Sequence, residues 1–165
     1  TTQASANGMK ALLEDREQWE AICKDPSLIR NAVEEILRYD SSIFTWRRIA
    51  TKDTKIGAFD IPKGSKLLMA IGSGSRDGKV FSDGDKFDIF RKHEKKHLAF
   101  GNGVHFCMGA PLARLEMQII LEELARRLPH MQLVADQEWE YIPTLAFRGI
   151  QKLFVEWDDS KNPAN

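Results

Sequence analysis

One short stretch constrains this chain more than any other. It reads His97-Leu98-Ala99-Phe100-Gly101-Asn102-Gly103-Val104-His105-Phe106-Cys107-Met108-Gly109 and runs straight into a long helical pattern. In that pattern Leu112, Leu115, Ile119, Leu124 and Leu128 fall on one stripe, Pro111 suits the first turn, and Pro129 ends it. Cys107 therefore stands just before a helix N-terminus, where free N–H groups and the helix dipole favour a thiolate over a thiol. Gly101, Gly103 and Gly109 remove side chains on either side of the sulfur. That permits unusual backbone angles and the close approach of something flat and large. The chemistry implied is a thiolate ligand or nucleophile held in a nest of backbone amides. A plainer reading is a buried free cysteine beside an ordinary Gly-rich loop. Another is a disulfide between Cys23 and Cys107, which a cytosolic setting disfavours. Zinc is disfavoured because no second Cys or His pair has ligand spacing. His105, two residues from Cys107, is poorly placed as the base of a Cys–His nucleophile.

The rest of the chain supplies the setting. Its 165 residues balance 24 Lys+Arg against 24 Asp+Glu, so nothing in the charge asks for nucleic acid or an anionic membrane as partner. The longest apolar run, Leu67 to Ile71, is far too short for a membrane span, and the polar, small opening residues carry no signal-peptide pattern. Two cysteines make no disulfide framework, and a cytoplasmic location is expected. Residues 3–24 hold helix formers, with Gly8 interrupting but not forbidding a helix. Asp25-Pro26 opens a second helix that runs to about Tyr39 on the period of Leu28, Ile29, Ala32, Val33, Ile36 and Leu37. Ile43 to Ala50 reads as a strand, and Gly57 to Ile71 as a hairpin turning at Ile61-Pro62-Lys63-Gly64. Residues 72–106 show no period and read as one long loop. Short strands are expected at Met131 to Val134, Thr144 to Phe147 and Lys152 to Trp157, with a frayed tail from Asp158 to Asn165. Helices, sheet, loop, helix and sheet in that order imply an α+β fold, mainly helical.

The run Phe100-Gly101-x-Gly103-x-His105-x-Cys107-x-Gly109, continuing into Leu112-Ala113-Arg114-Leu115-Glu116, resembles the haem-binding signature of the cytochromes P450. Glu35-Ile36-Leu37-Arg38 resembles the family's Glu-x-x-Arg, and Phe87-Asp88-Ile89-Phe90-Arg91 its meander before the cysteine loop. Arg48-Ile49-Ala50 and Ser75-Arg76-Asp77 are similar to bacterial members. The resemblance covers residues 1–158 and implies that residues 1–165 form a single partial domain, the C-terminal part of a domain more than twice this length. It implies small β-sheets and a cysteine-ligand loop before a long helix.

By that resemblance Cys107 is the proximal thiolate ligand of the iron of haem b (iron protoporphyrin IX). Phe100 packs beside the sulfur, Gly101, Gly103 and Gly109 shape the loop, and Arg48, His97 and His105 meet the haem propionates. Glu35, Arg38 and Arg91 form a buried network that fixes the loop. Without the resemblance, Glu35 and Arg38 are an ordinary surface pair and the histidines solvated loop residues. Ile43, Phe44, Leu145 and Phe147 make an apolar wall for substrate. The oxygen-activating threonine of the family matches Thr1 or Thr2, so the chain is expected to begin inside that helix, with the acidic residue before it missing. The implied activity is oxidoreductase: a monooxygenase that takes electrons from a ferredoxin or reductase domain and inserts one oxygen atom of O₂ into a small organic substrate. Two other readings stay open. One is a truncated module that binds haem without turnover. The other is a structural fragment without haem, assembled into a homo-oligomer that covers its exposed core.

Overall fold

In the computed structural model, which describes residues 1–94 and 96–163, the N-terminal helix formers divide into α1 (Thr2–Glu14) and α2 (Arg16–Lys24). The single helix expected over residues 3–24 breaks at Asp15, whose φ of −111° and ψ of 82° leave the helical region. Its carboxylate takes the side-chain amide of Gln18 at 2.6 Å, the local competition with backbone that makes Asp a poor interior helix residue. A 3₁₀ turn at Pro26–Leu28, begun by Asp25 accepting the Ser27 N–H at 3.0 Å, leads into α3 (Ile29–Tyr39). The apolar stripe of α3 is buried: Ile29, Ala32, Val33, Ile36 and Leu37. It packs between α1 and α5 (Ala110–Arg127), whose Met117, Leu121 and Ala125 are buried. Gly8 sets the approach of α1 to α3, because a Cβ there would lie 2.6 Å from Ile36 Cδ1. Trp19, Ile22, Ile89 and Met131 complete this core, and the Trp19 indole donates to the Pro129 carbonyl at 3.0 Å.

Among the described residues, three two-stranded antiparallel sheets decorate the helices. β1 (Trp46–Ile49) pairs with β4 (Lys66–Met69), placing Arg48 opposite Leu67. β2 (Thr54–Ile56) pairs with β3 (Phe59–Ile61), and β5 (Gln132–Leu133) with β6 (Val155–Glu156). The hairpin expected over Gly57–Ile71 is therefore corrected: β3 and β4 flank the Pro62-Lys63-Gly64 turn but pair with different partners. Gly57, at φ +58°, allows the tight reversal that closes β3 on β2. Gly64, at φ +87°, turns the chain so that its N–H reaches the Ala50 carbonyl at 2.8 Å and β4 returns to β1.

Thr144 to Phe147 forms no strand. The Thr144 hydroxyl accepts the N–H groups of Ala146 and Phe147, both at 3.1 Å, and folds the segment into a turn. A single bridge joins Phe147 to Ile43. Among the described residues, the 72–106 stretch holds only the one-turn α4 (Ile71–Gly74) at its start and a 3₁₀ turn at Gly103–His105 as regular elements. The expected frayed tail is ordered at Asp159–Lys161, a turn capped by the Asp158 carboxylate; Ala164 and Asn165 lie outside the described residues. No helix among the described residues is long and apolar enough to cross a membrane.

Candidate functional site

Pro111 in the first turn of α5 fixes where that helix can begin, so the residues before it must bend. They do so at Gly101 and Gly103, with φ of +73° and +77°, in the left-handed region that disfavours a side chain. Three backbone bonds close the loop: Gly101 N–H to Leu98 O at 2.8 Å, Phe106 N–H to Gly103 O at 3.0 Å, and Cys107 N–H to Phe100 O at 3.0 Å. Cys107 is left as a free, exposed thiol. A Cβ on Gly109 would come within 3.9 Å of its sulfur, so the glycine leaves room there. Cys23 is also free, which excludes the Cys23–Cys107 disulfide, and burial pushes its thiol up to about 11. Among the described residues no group of three or more His, Cys, Asp or Glu is arranged to hold a metal ion.

The sulfur faces a cavity of about 960 Å³. Phe100, Gly101, His105 and Gly109 of the loop line it, with Arg48 from β1 and Thr1 from the start of α1. Ile43 and Phe147 line it too, brought together by their bridge. The other candidates lie elsewhere. The Phe44 ring packs on Gly72, Leu145 is 72% exposed, and neither they nor Thr2, Gly103 and His97 line this cavity. Leu37, Leu112 and Trp46 add apolar wall that the reading of single residues missed. The α5 stripe named Leu112 but gave no sign that it faces a cavity. Arg48 is exposed and donates to the Arg47 carbonyl at 2.8 Å; no carboxylate pairs with it among the described residues. The Thr1 hydroxyl donates to Glu116 Oε2 at 2.7 Å.

Behind the loop lies a buried charge network. The side chains of Glu35 and Arg38 are both 0% exposed, one helical turn apart on α3. They pair through two bonds, Arg38 Nε to Oε2 at 2.7 Å and Nη2 to Oε1 at 2.8 Å. The remaining guanidinium protons go to the carbonyls of Ser75 (3.1 Å), Gly84 (2.7 Å) and Lys86 (3.0 Å). Arg91 Nε reaches Glu35 Oε1 at 3.2 Å, and its other nitrogens reach the carbonyls of Ser82, Asp83 and Lys86. Glu35 Oε1 also accepts the Asp88 N–H at 2.9 Å. The irregular 75–91 segment is thus laced to α3 by side chains in place of a strand ladder. His93 stands 3.8 Å from Glu35; burial lowers its pKa, against the pull of Glu35.

A second cluster, absent from the sequence-based candidates except for His97, sits between α3 and α5. Glu34 Oε1 accepts Arg114 Nε at 2.5 Å, Oε2 accepts Nη2 at 3.0 Å, and His97 Nε2 is 3.2 Å from Oε2. Burial alone would raise the Glu34 carboxyl, but His97 and Arg114 outweigh it and hold the group at about 2 against its usual 4.5. The Arg114 guanidinium lies over the Phe100 ring, 4.7 Å from its centroid. The only available signal was the Glu34-Glu35 doublet beside an arginine in the first turns of α5.

The sequence profile of the family described as Cytochrome P450 matches residues 9–139. A biotin biosynthesis cytochrome P450 from Bacillus subtilis is 39% identical over 158 residues, 96% of this chain and 40% of that protein. The 6-deoxyerythronolide B hydroxylase of Saccharopolyspora erythraea is 42% identical over 154 residues, 92% of this chain and 37% of that one. The chain thus spans about two fifths of the length of the curated relatives it matches. Among solved structures, an intact type IV self-sufficient cytochrome P450 monooxygenase superposes with a TM-score of 0.95 at 53% identity, over 98% of this chain and 21% of that one. The haem domain of a P450 from Tepidiphilus thermophilus gives 0.93 at 45% identity, over 98% of this chain and 38% of that one.

Proposed function

Because this chain belongs to the cytochrome P450 family and folds as a portion of that fold, we propose that it is the haem-ligating part of a haem-thiolate monooxygenase domain, with Cys107 as the iron ligand. Members of the family carry haem b. One observation carries the reading. An exposed, unpaired thiol opens onto a 960 Å³ cavity whose wall also holds a guanidinium free of carboxylate partners among the described residues. The donor set suits the group. Cys107 is the one cysteine in the wall among the described residues, Arg48 supplies a cationic partner and His105 a ring N–H for two propionates, and Ile43, Leu112 and Phe147 accept an apolar macrocycle or substrate.

When bound, a haem held by the Cys107 thiolate would supply the activation of O₂ needed to insert one oxygen atom into an organic substrate. The chain's own residues do the rest. Gly101, Gly103 and the Phe100 carbonyl hold the loop that presents the sulfur, and Gly109 keeps the adjoining space clear. The amide groups around Met108 and Gly109 would donate to the Cys107 thiolate and temper its donor strength. Glu35, Arg38 and Arg91 are structural residues, anchoring the segment that leads to the loop. Ile43 and Phe147 contact the small organic substrate, whereas Phe44 and Leu145 lie outside the wall. Thr1, which lines the cavity where Thr2 does not, would supply the hydroxyl that the family uses in oxygen activation. Electrons come from a ferredoxin or reductase domain, and a cytoplasmic setting keeps both cysteines reduced.

The test is optical. The haem-loaded protein, reduced under CO, gives a red-shifted Soret band that Cys107→Ala abolishes. An unshifted band in the parent protein, or a shifted one that survives the substitution, overturns the assignment of Cys107.

A further inference from the structure

Glu34 reaches the Cys107 loop indirectly, through two side chains that it bonds. On one side is His97, whose side chain is 5% exposed. Its Nδ1 accepts the Ala99 N–H at 3.2 Å, and because an amide N–H can only donate, Nδ1 carries a lone pair and Nε2 the proton. That proton points at Glu34 Oε2, 3.2 Å away. Both ring nitrogens are therefore committed, and neither is left to donate to a carboxylate of the cofactor. On the other side is Arg114, held by Glu34 through two bonds and stacked over Phe100 at 4.7 Å. Phe100 in turn holds the Cys107 N–H on its carbonyl at 3.0 Å.

We infer that Glu34 is a positioning residue for the Cys107 loop, acting through His97 and Arg114, and that His97 belongs to this clamp and does not contact the propionates. The inference rests on Cys107 as the iron ligand. Two consequences follow. The loop is pinned at Ala99 and at Phe100, so the sulfur keeps one position. The charge of Arg114 beside the loop is also balanced by Glu34, so removing either partner changes the field at the site with opposite sign.

The experiment uses the haem-loaded protein with Glu34→Gln, Glu34→Asp, Arg114→Gln, His97→Phe and the Glu34→Gln/His97→Phe pair. Glu34→Gln leaves a positive charge unbalanced and raises the reduction potential; Arg114→Gln leaves a negative one and lowers it. A general loosening of the fold would move both the same way. Release of haem to an acceptor globin accelerates about tenfold in Glu34→Gln, the scale typical for partners that hold a metal's ligands in place, and Glu34→Asp recovers part of the loss. His97→Phe has little further effect on release in the Glu34→Gln background, because both act through one clamp. Unchanged potentials, shifts of one sign, or a His97→Phe effect that persists in full in that background overturn the inference. The last result would return His97 to the propionates. The red-shifted CO band is recorded throughout, and a parent protein lacking it overturns the assignment of Cys107 and this inference with it.

Discussion

Glu35 and Arg38 have no water to turn to when one of them is lost, since both side chains are 0% exposed. Glu35→Ala would leave Arg38 charged among carbonyls and free the Asp88 N–H and the Arg91 guanidinium as well. The expected cost is about 3–5 kcal/mol of unfolding free energy, measured by denaturant titration; a loss near that of an exposed pair, below about 1 kcal/mol, would refute the buried role. Glu34 makes a prediction in pH. Its folded carboxyl sits at about 2 against an ordinary 4.5, so its stabilising contribution is complete above pH 4.5 and disappears as pH falls toward 2. The stability difference between the parent protein and Glu34→Gln should shrink across that window and stay level above it. The spacing of Glu35 and Arg38 was legible in the sequence because three residues on a helix set two side chains side by side. Glu34 was not. Its partners His97 and Arg114 come from segments 63 and 80 residues away, and no local period reports such a meeting.

Elements were legible where one period ruled a long segment. The stripe of α3 and the Pro111 start of α5 both emerged at their expected places. Strand pairing was not, because Gly57 and Gly64 reverse the chain in quick succession and local pattern cannot say which reversal closes a hairpin. Nor does any period mark the 75–91 segment, whose order comes from the guanidinium groups of Arg38 and Arg91. Two glycines test elements directly. Gly8→Ala should help an isolated helix, yet its Cβ would lie 2.6 Å from Ile36 Cδ1. The substitution is therefore expected to destabilise by about 1–3 kcal/mol as α1 and α3 are forced apart; a gain in stability would show that the two helices can separate freely. Gly103→Ala meets nothing within 4 Å, so any loss reports the backbone angle of +77° alone. About 1–2 kcal/mol is expected from thermal unfolding, and no loss would mean that the loop can adopt another conformation.

At the scale of the whole molecule, one face of α5 carries its apolar side chains outward: Leu112, Leu115 and Ile119 are 59%, 53% and 50% exposed. Such a stripe in water favours association, so the 165-residue chain alone should self-associate with rising concentration in sedimentation experiments. Leu115→Lys with Ile119→Lys should reduce that association; a chain that stays monomeric at all concentrations would contradict it. The same architecture gathers the chemistry at one place, where the ends of α1, β1 and α5 and the Cys107 loop share a single cavity wall. On the proposed function, this wall holds haem iron through the Cys107 sulfur. X-ray absorption at the iron edge of the haem-loaded protein addresses it most directly. One sulfur is expected among the atoms bound to iron, lost in Cys107→Ala; an iron ringed only by nitrogen and oxygen in the parent protein would rule out thiolate ligation.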